Sequence, residues 1–317
     1  MTLTQLQAFL TSAELRSFTA AAKRLKMSQP AISDLIRRLE EELGVRLFRR
    51  GSRELFLTSA GEELLPHAQQ AVASADAGMR AVRSQLELGG GTATFGLLRN
   101  ANFYLGVDLA LKFHQRYPSV RVRLVGQNSA ETALDVARGN LEAGLVTLPI
   151  DDDGLEIVPV GRDEVLFVSA HRPDGPIGMA EFADRSLVLY DAHYAETDPV
   201  RRQLTDRAQL SGVSISPVIE VEYLSSALDL VRAGVGDSLL CAAATRSAVM
   251  PAGLHTAPFV EPIFDTLAFV KRQGMVLSPA TREIARMAWD ALVEHQAGTD
   301  GTLQLTGSSD RLQRFLH

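Results

Sequence analysis

The chain has 317 residues, 46% hydrophobic and 22% charged, which suits a soluble globular protein of two or three domains, each with its own core. A single cysteine, Cys241, excludes an internal disulfide and a cysteine-rich zinc site. No apolar run approaches the ~18 residues of a membrane span, and the amphipathic start is unlike a cleaved leader, so a cytoplasmic protein is expected. The net charge of −6 argues against nucleic acid until its distribution is read: residues 1–60 carry +4 and the remainder −10, as expected when only a basic head meets phosphate.

The first elements are helical. Leu3, Leu6, Phe9, Leu10 and Ala13 share one face of a helix, and Ala21, Ala22 and Leu25 mark a second over about 18–25. A third carries Ile32, Ile36, Leu39 and Leu43. Ser28 is placed to cap it, and Pro30 is tolerated in its first turn, where the missing N–H has no helical partner. Opposite the apolar stripe lie Gln29, Ser33 and Arg37. Hydrogen-bonding side chains on the outward, N-terminal half of a helix are what a major groove requires, and the free N–H groups of that turn favour a phosphate. Leu47-Phe48 and Leu55-Phe56-Leu57 then flank a Gly51-Ser52 turn, predicting a hairpin whose Arg49, Arg50 and Arg53 reach backbone phosphate or a minor groove.

A long helix follows, with Ser59 as the expected N-cap and Glu62 completing a capping box. Leu65, Ala68, Val72, Ala75, Met79, Val82 and Leu86 recur at alternating steps of three and four, the 3.5-residue repeat of a coiled-coil seam. The small Ala68 and Ala75 suggest close approach of a second copy, and Pro66 should kink the helix. Gly89-Gly90-Gly91 reads as a hinge. Beyond it strands and helices alternate to about residue 296, which predicts βαβ units and mostly parallel sheets, two rather than one, with crossovers near Gly161 and Phe264. The resulting division is a head (1–58), a long helix (59–88), a hinge (89–91), a two-lobed α/β body (92–161 with 266–296, and 162–265) and a loose polar tail (297–317) ending in a short helix.

Enzyme signatures are missing. The body contains no G-x-S-x-G elbow, P-loop or G-x-G-x-x-G. Asp151-Asp152-Asp153-Gly154 lacks the later ligands of a calcium loop and reads as a solvated turn, while Cys241 in DSLLCAAA reads as a small core residue. Neither a metal nor a cofactor is expected.

Three stretches, SFTAAAKRLKMSQPAIS, IRRLEEELGVRLFRR and LTSAGEELLPHA, closely resemble the N-terminal region of LysR-type transcriptional regulators. YPSVRVRLV, VARGNLEAGLVT and LVRAGVGDSLL extend the likeness, more loosely, over about 92–296. The resemblance implies an α/β protein with an N-terminal winged helix-turn-helix, a long linker helix that pairs antiparallel with a second copy, and a C-terminal two-lobed, periplasmic-binding-protein-like (type II) effector domain. By that likeness the helix after Ser28 reads double-stranded promoter DNA and the hairpin is the wing. Asp34 departs from the pattern, which often has Arg, His or Gln there; it either accepts from a cytosine amine or pairs with Arg37 or Arg38.

Ligands in open α/β sheets bind beyond the C-terminal strand ends, near helix N-termini. Matching those ends to the family's effector site favours Asn100, Asn102, Gln127, Asn128, Thr147, Tyr194, Ser225 and Ser226, with Arg99 as a counter-charge. Donor-rich walls suggest a small carboxylate. The expected assembly is a homotetramer, a dimer of dimers, whose partners are promoter DNA, a small organic effector and, for an activator, RNA polymerase. An effector-independent regulator with a self-filled cleft is the main alternative.

Overall fold

Each helix of the head starts on a side chain that satisfies free N–H groups. Thr2 and Gln5 form a capping box on α1 (Leu3–Leu15), Ser17 caps α2 (Phe18–Leu25), and Ser28 caps α3 (Gln29–Leu43) with Pro30 in its first turn. The three helices bury Leu6, Phe9, Ala21, Ala22, Ile32, Ile36 and Leu39 in one core. Leu3 and Leu43, at the ends of their stripes, stay exposed. Strands β1 (Phe48–Arg50) and β2 (Leu55–Leu57) pair antiparallel. This computed structural model describes residues 1–50, 55–84, 91–105, 108–297, 302–307 and 309–316. The expected Gly51-Ser52 turn, Arg53, Leu86 and all of the hinge except Gly91 therefore lie outside the described residues.

Helix α4 (Ser59–Ser84) begins one residue earlier than expected. Ser59 is already helical, and Thr58 is the cap: its Oγ1 accepts from Gly61 N at 3.2 Å, and its carbonyl accepts from Glu62 N at 2.9 Å. The reason lies in the hairpin. Thr58 N donates to Leu47 O at 2.9 Å and Thr58 Oγ1 to Arg46 O at 2.6 Å, so the helix start is anchored to the chain just before β1. Gly61 permits this approach, because a Cβ there would stand 2.3 Å from Leu47 O. Thr58→Ala is expected to cost the head about 1–2 kcal/mol in denaturant unfolding, the usual worth of a cap; an unchanged midpoint would place the helix start elsewhere.

Residues 1–82 form one compact unit, and a second takes in most of the chain from residue 83 onward. The second runs β3 (Thr92–Leu98), α5 (Asn102–Leu105), α6 (Asp108–Arg116), β4 (Arg121–Gln127), α7 (Ser129–Arg138) and β5 (Ala143–Leu148). There follow β6 (Leu155–Ser169), α8 (Met179–Ala183), β7 (Val188–Leu189), α9 (Pro199–Leu210), β8 (Ile219–Glu220), α10 (Leu224–Arg232) and β9 (Ser238–Cys241). The last elements are β10 (His255–Arg272), α11 (Pro279–Ala297), β11 (Gln304–Leu305) and α12 (Ser309–Leu316).

The two mostly parallel sheets predicted from alternation are corrected here. Strands β3, β4 and β5 are parallel, but the main sheet is mixed, in the order β11-β6-β10-β5-β3-β4 with β9 on β6. Its spine is a long antiparallel ribbon, β6 on β10, which runs through both lobes with register breaks between Pro258 and Ile263 and between Leu267 and Ala268. Gly161 and Phe264 thus lie within continuous strands. In the second lobe the parallel pairing is limited to the two-residue strands β7 and β8. Cys241 is buried in β9.

The loose tail is also corrected. β11 pairs with β6, and Leu303, Leu312, Phe315 and Leu316 are buried, the Phe315 ring 6.0 Å from that of Phe269. The buried Lys271 donates its Nζ to Phe315 O. An apolar face spaced at helical intervals in α12 has an apolar sheet to cover, so the terminus docks.

Candidate functional site

In the head, α3 turns its apolar stripe inward and leaves Gln29 and Pro30 exposed and Ser33 half-exposed. Gln29 Nε2 donates to Ser33 Oγ at 2.8 Å, so the two polar side chains present one continuous hydrogen-bonding edge. Arg37 is less free than its spacing suggested. It pairs with Asp34 at 2.5 Å and Glu41 at 2.6 Å, and Arg38 meets Asp34 at 2.8 Å. The hydrogen bond from Arg37 holds the Asp34 carboxyl below its ordinary range. Asp34 is therefore tied to both arginines, and a phosphate has to compete with carboxylates for Arg37. On the hairpin, Arg49 lies over the Phe56 ring at 5.3 Å. Arg50 falls within β1.

The sequence reading missed Glu40. This buried carboxylate accepts from Leu47 N at 2.8 Å and Phe48 N at 3.2 Å, and pairs with Arg46 at 2.8 Å. It joins the end of α3 to the first strand of the wing. Helical spacing does put it on the buried stripe, four residues after Ile36, but its partners lie beyond the helix and left no local signal; its neighbours Glu41 and Glu42 are exposed.

The long-helix stripe divides. Ala68 is 1% exposed, and Leu65 and Val72 pack with it against the head's own core. Ala75 is half-buried and Met79 is 52% exposed. Val82 falls within α4. The proximal half of the expected seam is thus already engaged by its own head.

In the second unit the β3, β4 and β5 ends face the β7–β8 side across a cleft. Arg99, Asn100, Asn128 and Thr147 line it, joined by Ser129, Tyr190, Asp191, Asp198 and Asp265, around about 350 Å³ of space partly open to solvent. Tyr194 stands at its edge and donates to Glu131 across the gap. Asn102, Gln127, Ser225 and Ser226 do not line it: Gln127 bonds to Asp135 at 3.1 Å, and Asn102, Ser225 and Ser226 are exposed on their helices. Strand-end reasoning places a residue near a cleft but not the direction of its side chain.

Several contacts bridge the two lobes. Arg99 Nε lies 2.7 Å from Asp191 Oδ1, an ion pair not aligned as a hydrogen bond, and Arg99 Nη1 is 2.7 Å from Glu222 Oε1. Asn128 Nδ2 donates to Asp198 Oδ2 at 3.0 Å, while Asp198 Oδ1 caps α9 through Val200 N and Arg201 N, both at 3.0 Å. Asp198-Pro199 was legible as a helix start. Asp191 and Asp265 carried no comparable signal.

Three aspartates make this cleft acidic, contrary to the donor-rich walls expected. Burial, then the charge of Asp198, pushes the Asp191 carboxyl up to about 7, against the pull of Arg99. Burial also raises Asp198. Asp265 is held well above the carboxylate range by burial and then by Asp198, Asp163 and Asp191.

A three-helix head with a wing, joined through a long helix to a two-lobed α/β body with a polar cleft, defines a DNA-binding regulator with a ligand-sensing domain. The chain belongs to the LysR family: residues 3–62 match the bacterial regulatory helix-turn-helix protein of the lysR family, and residues 87–293 match the LysR substrate binding domain. It is 31% identical over 283 residues to the HTH-type transcriptional regulator YbhD of Escherichia coli, covering 88% of each chain, and 30% identical to BudR of Raoultella terrigena, covering 76% of this chain and 84% of that one. Among solved structures it is similar to a full-length OxyR variant of Pseudomonas aeruginosa (TM-score 0.69, 24% identity, covering 97% of this chain and 99% of that one). It is also similar to CbnR in complex with its target DNA (TM-score 0.59, 22% identity, covering 92% and 100%). The family and these relatives are transcription regulators, not enzymes. No helix among the described residues is long and apolar enough to cross a membrane.

Proposed function

We propose that this regulator reads its promoter through the first turns of α3, working in the cytoplasm, and that a small molecule in the inter-lobe cleft changes how it binds or bends that promoter. The observation carrying the DNA reading is the exposed Gln29–Ser33 edge, backed by the buried Ile32, Ile36 and Leu39 and flanked by an arginine-bearing wing. Gln29, Pro30, Ser33 and Arg37 would enter the groove, with Arg49, Arg50 and Arg53 on phosphate or the minor groove. Ala75 and Met79, with Val82 and Leu86 beyond, are proposed to meet a second copy, and a dimer of such dimers would read half-sites about one helical turn apart or a multiple of it. Polymerase contact follows if the protein activates.

Gln29→Ala or Ser33→Ala is expected to reduce the ratio of specific to random DNA affinity about 10-fold or more, within the 1–3 kcal/mol of a good base contact. A gel shift with the protein's own upstream region and a scrambled duplex checks it; equal losses on both duplexes would exclude direct base reading. The full chain at low ionic strength should retard its upstream region, and no retarded band means the head does not bind there.

The carboxylate effector expected from sequence has Arg99 and Asn128 in its favour and the three aspartates against it. A second reading, an effector-independent regulator with a self-filled cleft, is supported by the bridges from Arg99, Asn128 and Tyr194 that already close the lobes. Melting of the full chain with candidate ligands separates the two: a self-filled cleft gives no shift with any of them.

A further inference from the structure

Resting on the cleft as the effector site, we infer that the effector presents a positively charged nitrogen, a protonated amine or an amidinium, to Asp191, Asp198 and Asp265. Asp265 carries the inference. It is 3% exposed, lines the cavity, and its buried Oδ1 has no hydrogen-bond partner. Across the ribbon it stands directly opposite another buried carboxylate, Asp163, an arrangement that like charges disfavour. Asp163 Oδ2 is served by Tyr104 Oη at 3.0 Å and Ala243 N at 2.9 Å. Asp198 is served by two backbone N–H groups and Asn128, and Asp191 by Arg99. Of the carboxylates lining the cavity, only Asp265 has neither a hydrogen bond nor an ion pair.

The local cations are already matched. Arg99 is shared between Asp191 and Glu222, and Arg201 pairs with Glu220 at 2.5 Å. An anionic ligand would oppose ionisation of these carboxyls, whereas a cation lets them ionise against an opposite charge at short range, so Coulomb's law decides the sign. The part of the cleft wide enough for a water molecule is about 30 Å³, room for a nitrogen head, with the rest of the ligand directed to the open mouth. Among the described residues no group of His, Cys, Asp and Glu is arranged to hold a metal ion, which favours an organic cation over a divalent ion.

Binding should also displace protons. The charges acting on Asp265 are those of Asp198, Asp163 and Asp191, all negative, and its other titratable neighbours are Tyr104, Tyr190 and Cys241. Arg99 and Arg201 act on Asp191, against Asp198 and Glu222. With Asp191 near 7, an unliganded cleft carries protons at neutral pH that a cation drives off.

The test uses the purified full chain with 1,4-diaminobutane and ethylguanidine as cations, succinate as anion and magnesium chloride as the inorganic control. A cation is expected to raise the melting temperature, to bind several-fold more tightly at pH 8 than at pH 6, and to release protons by calorimetry in buffers of different ionisation enthalpy. Asp265→Asn should weaken that binding at least 10-fold. The variant's own ligand-free melting temperature at pH 8, no lower than the parent's, shows that it folds. The inference is overturned if no cation shifts the melt, if magnesium alone does so, or if the cation binds Asp265→Asn equally well. Succinate binding without cation binding removes the charge assignment and leaves the cleft as an effector site; silence from every probe removes both, and the gel shift decides the DNA reading separately.

Discussion

Glu40→Ala lowers the stability of the DNA-reading head by about 2–4 kcal/mol and with it the fraction able to bind promoter. The substitution leaves Leu47 N and Phe48 N facing a void, and a buried donor without a partner costs about 1–3 kcal/mol. It also strips Arg46 of its partner, a small further loss because that guanidinium is 79% exposed. Glu40→Gln keeps a carbonyl for the same N–H groups and should lose only about 1 kcal/mol, so the difference between the variants isolates the strand anchor from the ion pair. The sole tryptophan, Trp289, lies in α11 of the second unit, so its fluorescence is blind to the head and circular dichroism must follow this transition. Equal midpoints for the two variants would mean that Glu40 contributes nothing beyond its charge.

The second unit loses stability as pH rises from about 5 to 8, the reverse of ordinary acid denaturation. Asp191 titrates near 7 in the folded protein, against 3.8 as its ordinary value. Between those limits the folded chain binds more protons than the unfolded one, so the slope of unfolding free energy with pH is negative. Stability is full below the lower value, falls through the interval, and levels off above about 7. Across the whole interval from 3.8 to about 7, at about 1.36 kcal/mol per pH unit, Asp191 alone contributes roughly 4 kcal/mol, about 2.6 of it lost between pH 5 and 8, with Asp265 and Asp198 adding in the same direction. Glu222 and Glu283 are shifted downward and act below this window. Urea unfolding followed by Trp289 fluorescence at pH 5, 6.5 and 8 measures the slope, and Asp265→Asn should flatten it. A flat or rising profile in the parent would show these carboxylates to be charged and compensated throughout.

Much of the head was legible because its determinants are local. A polar cap and an apolar residue every three or four positions specify each helix within a few residues of chain, and Gly44 in the left-handed region ends α3. The Thr58 cap was missed by one position because strand contacts at Leu47 and Arg46, distant in sequence, chose between two adequate hydroxyls. The cleft was legible by location and not by chemistry. Asn100 and Asn128 follow strand ends, Thr147 lies near the end of β5, and all three line it, whereas Ser225 and Ser226 follow β8 and are exposed to solvent.

By itself the sequence determined the order of elements, the caps of α1 to α3 and the buried stripes, which depend on neighbours within about one or two turns, and the contrast between a basic head and an acidic body, which composition alone sets. Only the tertiary structure decided that β6 and β10 run as one ribbon through both lobes, that α12 docks on it, and that Asp265 faces Asp163 in register while opening onto the cavity with Asp191 and Asp198. Those aspartates are far apart along the chain, and none is unusual where it stands. Their effect arises from proximity in a water-poor site, where the energy of a charge depends on what surrounds it and not on what precedes it.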